Sequence, residues 1–220
     1  MIRVTIVVEG QTEDSFVKNV LAPAMWPHQI LLKSILLGHQ GGRPSYERVK
    51  KDVLTYLKQD TTAYCSTLLD YYGLGRGFPG TPVAENLANV EKVELIERAV
   101  KEDICARIPE FRADRRFLPY IQLHEYEGLL FSNPPVFAAA ISQEQLATQF
   151  QQIRDHFPTP EDINDHPLTA PSKRILAAYP QYRKVLHGAT AAQAIGVGAM
   201  RLECPHFCTW LDRLAALQPL

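Results

Sequence analysis

Four acids of this sequence stand where apolar runs stop, and a fifth lies close behind the first. Glu9 follows Ile2 to Val8, a nearly unbroken β-branched run. Asp70 closes Tyr64 to Tyr71, and Glu125 and Glu127 follow Phe117 to His124. Glu13 lies one helical turn beyond Glu9, where it can face the same crevice. Carboxylates gathered in a partly dry crevice repel one another unless protons or cations neutralise them. Their hard oxygens suit Mg²⁺ or Mn²⁺, which keep several waters and bridge to phosphate oxygens. Any one of the acids alone reads equally well as a helix cap or a solvent-facing side chain. It is the set that points to a metal centre.

The set can meet only if its elements end at one rim. Ile2 to Val8 suits a central strand covered on both faces. Thr12 is placed to cap a following helix through Ala22, closed by Pro23, with Glu13 and Asp14 in its first turn. Gln29 to Leu37 reads as a second strand. Ser45 is placed to cap a helix through Gln59, with Tyr46, Val49, Val53 and Leu57 inward. Tyr64 to Tyr71 is the third strand, so the order is βαβαβ, the pattern of a mostly parallel sheet flanked by helices. Parallel strands all end on one side, which places Glu9 and Asp70 on a common edge, where open α/β sheets bind ligands. The glycine- and proline-rich GLGRGFPGTP reads as an irregular, mobile loop beside that edge. A charged helix from Asn89 to about Ala106 and a fourth strand, Phe117 to His124, complete an α/β core over residues 1–132. Residues 133–220 read as a helical C-terminal extension packed on it, with helices at 144–156, 172–179, 189–200 and 207–217.

The 220 residues carry a formal net charge of -1, which argues against whole-surface nucleic-acid binding but leaves room for a local basic groove. Apolar runs are too short to cross a bilayer, the N-terminus has strand character rather than that of a signal peptide, and Cys65, Cys105, Cys204 and Cys208 form no CxxC pair. A reduced, cytoplasmic protein with no membrane partner is the natural reading.

The segments VVEGQTE, LLDYYGL and IQLHEYEGLLF together resemble the Toprim domain. More narrowly, the chain resembles an uncharacterised prokaryotic Toprim-type family related to the overcoming-lysogenization-defect nucleases, whose members share a tail like PSKRI, YRKVLHG and CPHF followed by Trp. The resemblance runs along most of the chain. It implies a Toprim-like fold with Mg²⁺ (or Mn²⁺) bound by a Glu after the first strand and an Asp-x-Asp after the third, making or breaking phosphodiester bonds. Glu9 and Asp70 match, but Tyr72 stands where the second Asp would be. Glu13 and the Glu125/Glu127 pair make up the missing ligand, as extra acids do in the nuclease branch. Tyr71 and Tyr72 read as packing residues rather than nucleophiles. The resemblance also implies a setting beside AAA- or ABC-type ATPase partners in anti-phage defence.

Lys173, Arg174, Arg183 and Lys184 form a basic cluster suited to a DNA or RNA backbone, with Arg43 and Arg76 in glycine-rich loops as weaker candidates; a solvated helix face is the plain alternative. No GK[ST] follows either loop, so ATP hydrolysis is not expected. Cys204, His206 and Cys208 have poor zinc spacing and read as packing, with Phe207 and Trp210 in the core. His124 is placed to orient a carboxylate or phosphate, or to make a structural hydrogen bond. The expected function is therefore a metal-dependent nuclease, a hydrolase, using Glu9, Glu13, Asp70 and Glu127 catalytically, with Glu125 as a further ligand. The alternatives are a non-catalytic interaction subunit of an ATPase-containing complex and a hydrolase of small phosphorylated molecules.

Overall fold

A computed structural model describes residues 1–39, 41, 44–75, 77–84, 87–164 and 169–220. Its centre is a parallel sheet in the order β2-β1-β3-β4, formed by β1 (Ile2–Val8), β2 (Ile30–Leu36), β3 (Tyr64–Asp70) and β4 (Phe117–Leu118), with β5 (Ile121–Gln122) pairing β3 further along. Every pairing is parallel, with Val4 facing Leu32 on one side and Tyr64 on the other. The β-branched run therefore becomes a central strand, and Ile6, Val7 and Val8 are fully buried. The α/β class and the parallel sheet flanked by helices are as the sequence indicates.

The pleat splits the core in two. Val4, Ile6, Val8, Tyr64 and Leu68 face the first helix and the C-terminal helices, in one cluster with Phe16, Phe131, Phe207 and Trp210. Val7, Cys65 and Leu69 face the other way, onto α2 (Tyr46–Gln59) and α3 (Asn89–Arg107), through Val49, Val53, Ile96 and Val100. The C-terminal helices α4 (Pro134–Ala140), α5 (Ala147–Asp155), α6 (Pro171–Ala178), α7 (Ala189–Glu203) and α8 (Pro205–Ala215) contribute to the first cluster.

Several local expectations are corrected. The first helix, α1 (Gln11–Phe16), is capped by Gly10 with no side-chain bond, so Thr12 is not the cap. It does not stop at Pro23 but runs through a π-turn, Val17–Leu21, into Ala22–Met25, because the wider turn removes the need for the N–H that proline lacks. Ser45 stands at the start of α2 without a side-chain hydrogen bond. The third strand ends at Asp70, and Tyr71–Gly73 is a tight turn. The single fourth strand is two short pieces broken at Pro119, and Thr67 bridges the gap: its Oγ1 donates to Tyr120 O and accepts from Tyr120 N, both at 2.9 Å. Within the loop expected to be mobile, Phe78 is buried against Tyr46 (5.4 Å between centroids). Among the described residues no helix is long and apolar enough to cross a membrane.

Candidate active site

Because β1 and β3 are parallel neighbours, Glu9 and Asp70 emerge at the same edge. Gly73 makes room for Glu9: a Cβ there would stand 2.9 Å from Glu9 Oε1 and closer still to Oε2. Asp70, on the β3 face that looks toward α1, accepts the Tyr126 N–H at Oδ1 (2.8 Å), which ties the rim to the turn Tyr126–Ser132. That turn carries Glu127 inward, fully buried, while Glu125 takes the Ser172 N–H (2.9 Å) at the start of α6. Glu13, in the first turn of α1, is 3% exposed.

A lysine joins three of these acids. The Lys184 ammonium lies 3.1 Å from Glu127 Oε2, 3.3 Å from Asp70 Oδ2 and 3.7 Å from Glu13 Oε1. Glu127 Oε1 has no hydrogen-bond partner among the described residues. Burial raises the Glu127 carboxyl to about 7, with Lys184 working the other way. Asp70 is pushed well above the usual carboxylate range by burial and by the charges of Glu13, Glu9 and Glu127, against the pull of Lys184. Burial works to lower the Lys184 ammonium, but Asp70, Glu127 and Glu13 outweigh it and hold it firmly protonated. The rim thus gathers more carboxyl groups than its one lysine can neutralise, and Asp70 and Glu127 answer by holding their protons to higher pH.

Lys184 stands apart from the other bases: its ammonium turns into the acids because their field outweighs its desolvation there. Lys173 and Arg183 are exposed, whereas Arg174 donates to Thr169 O (2.7 Å) and lies over the Phe157 ring. Arg43 and Arg76 lie outside the described residues. The Tyr72 ring lies tilted beside His124 (5.3 Å between centroids), and His124, at φ 56°, is 4% exposed. Cys204, His206 and Cys208 point to different partners: Ser132, Glu97 and Asp212. The roles of Lys184 and Gly73 at the rim were not legible as sequence. The available signal was the acid excess, which calls for a counter-charge and close backbone approach.

The donors fit a hard divalent cation, since they are carboxylate oxygens, one of them buried without a partner, around a site that already holds a positive charge. With Lys184 among them, no three acid, histidine or cysteine side chains stand in a ligating arrangement among the described residues.

Solved structures similar to the chain are of the C-terminal region of the Xanthomonas campestris pv. campestris OLD protein. The form phased with iodine has TM-score 0.42 and 15% identity, over 98% of this chain and 95% of that one. The form phased with mercury has TM-score 0.40 and 13% identity, over 97% and 98%. The form phased with platinum has TM-score 0.35 and 15% identity, over 97% and 96%. No curated protein matches the sequence. The family model described as Domain of unknown function (DUF4276) matches residues 8–215, and the chain belongs to that family.

Proposed function

We propose that the rim is the active site of a metal-dependent nuclease, with Glu9, Glu13, Asp70 and Glu127 holding Mg²⁺ or Mn²⁺. The observation that carries this reading is the convergence of Glu13, Asp70 and Glu127 on one ammonium while Glu127 Oε1 stays unpartnered. A divalent ion, when bound, polarises a phosphate and lowers the pKa of water. Glu127, with a carboxyl near 7, can accept a proton at Oε1 around neutral pH. Asp70 is oriented by the Tyr126 N–H at Oδ1, and its Oδ2, 3.3 Å from the Lys184 ammonium, would be the oxygen offered to a divalent ion. Lys184 offsets part of the acids' charge and, 39% exposed, can turn outward to a phosphate oxygen. Two exposed bases flank the rim in sequence: Arg183 precedes Lys184, and Lys173 follows Ser172, whose N–H holds Glu125. That setting supports a polyanionic substrate, DNA or RNA.

A second reading has its own observation. Lys184 already joins three acids, and Tyr72 packs where a further ligand would stand, so the rim could serve a non-catalytic subunit, such as one regulated by an ATPase partner. The test is cleavage of end-labelled DNA and RNA with Mn²⁺ or Mg²⁺, alongside melting curves with and without metal. The nuclease predicts metal-raised stability and cleavage, both abolished in Glu9→Gln and Asp70→Asn with circular dichroism unchanged. Undiminished cleavage in either variant rules out this site. Neither cleavage nor metal stabilisation selects the non-catalytic subunit, and turnover of mononucleotides alone selects a small-molecule phosphatase.

A further inference from the structure

A second concavity lies away from the acids, and the break in the edge strand opens it. Pro119 ends the β4 ladder, leaving Tyr120 held by Thr67 rather than by a neighbouring strand. Thr67 is three residues before Asp70, so along β3 this point lies roughly 10 Å from the acid rim. Helices α3 and α8 flank the break and line a half-open cavity of about 300 Å³. Its inner wall is aromatic, with Tyr120 stacked on Trp210 (4.3 Å) and on His206 (5.1 Å). Its outer wall carries Arg98 and Lys101 from α3 and Arg213 from α8.

The charges are arranged for an anion. None of the three cations makes an ion pair with a carboxylate among the described residues, although Glu94 and Glu97 line the same cavity. Glu97 is already engaged, since its Oε1 takes the Ile121 N–H (2.7 Å) and faces His206 Nε2 (3.0 Å). Burial and then the Arg213 charge both lower the Lys101 ammonium, so the two cations oppose each other across the space. An anion between them would offset that repulsion, with a guanidinium offering a fork and an ammonium a compact charge. The cavity is a short, half-open depression between two helices and is of mononucleotide size. Glu97 Oε2, with no hydrogen bond among the described residues, can accept from a hydroxyl or amine of the same ligand.

We propose that the cavity between α3 and α8 is a binding site for a nucleoside monophosphate, with Lys101, Arg98 and Arg213 on the phosphate and Glu97 on the nucleoside. The proposal does not depend on catalysis at the acid rim. It is tested by calorimetric titration of the full chain with AMP and with inorganic phosphate, in chelator, so that no metal bridges a nucleotide to the acids. AMP should bind the native chain and Asp70→Asn alike, more tightly than inorganic phosphate. The double variant Lys101→Glu with Arg213→Glu, both at partly or fully exposed positions, should weaken AMP by about tenfold or more while keeping the melting temperature. No AMP binding, binding lost in Asp70→Asn but kept in the double variant, or phosphate binding as tightly as AMP would each overturn the assignment.

Discussion

Two buried acid clusters of this molecule look alike in composition and differ in how their oxygens are satisfied. Under α8, Glu161 accepts the His206 N–H at Oε2 (2.9 Å) and the Phe207 N–H at Oε1 (3.0 Å), closing the start of that helix. Glu97 likewise takes a backbone N–H and faces the His206 ring, both through Oε1, and only its Oε2 is left over. At the sheet rim, by contrast, Glu127 is fully buried with no backbone donor from another element on its carboxylate among the described residues, and it shares one lysine with Asp70 and Glu13. A buried carboxylate supplied with N–H donors holds the fold together. One left with oxygens to spare is a site where a ligand could complete the set.

The sharpest way to break that distinction is at Glu161. Glu161→Ala strands two buried N–H groups, and the loss in urea denaturation should reach roughly 3–5 kcal/mol from two charge-assisted bonds. A loss well below that would mean that α8 does not need its acid cap. Lys184→Met comes next: it leaves the rim acids uncompensated, at a cost of about 2 kcal/mol, below the range for fully buried pairs because the lysine is 39% exposed. Mn²⁺ should restore most of that loss; failure to do so would count against a metal taking the lysine's place. Glu127→Gln should move the other way. The raised Glu127 carboxyl contributes stability below about 4.5, the ordinary value, and loses it as pH rises through about 7. At pH 8 the neutral isostere should therefore gain about 1 kcal/mol in the same assay, while metal-dependent cleavage disappears. A destabilised Glu127→Gln would place Glu127 with Glu161, among the acids that hold the fold.

The rim was legible in the sequence because its logic is topological: parallel strands end together, so Glu9 and Asp70 needed only the β-branched run and the βαβαβ order to be paired. The satisfied cluster was not. Glu97 and Glu161 sit in helical or turn segments where a charged residue reads as solvated, and only the folding of α8 onto α3 and β5 brings N–H donors to them. Lys184 hid for a related reason. Its neighbours Arg183 and His187 make it look like part of a basic surface, and its inward turn depends on acids more than a hundred residues earlier in the chain, such as Asp70. The strand break at Pro119 was visible as a proline, but the Thr67 hydroxyl that compensates for it was not.

The gentlest probe concerns the histidine between Glu97 and Glu161. Burial works to lower the His206 imidazole, but the hydrogen bond and charge of Glu97 outweigh it and raise it above its ordinary 6.5. A histidine raised in the folded state contributes stability that is fully present below the unfolded value and is lost as pH rises through the folded one. The native chain should therefore show a shallow fall in its urea midpoint as pH climbs above about 6.5. Glu97→Gln keeps an acceptor for the Ile121 N–H while removing the charge, so it should flatten that slope and leave the plateau at high pH nearly unchanged. A slope that survives in Glu97→Gln would assign the titration to another group. It would also remove the basis for reading Glu97 as an acid already engaged with His206, and the contrast with the rim would then rest on Glu161 alone.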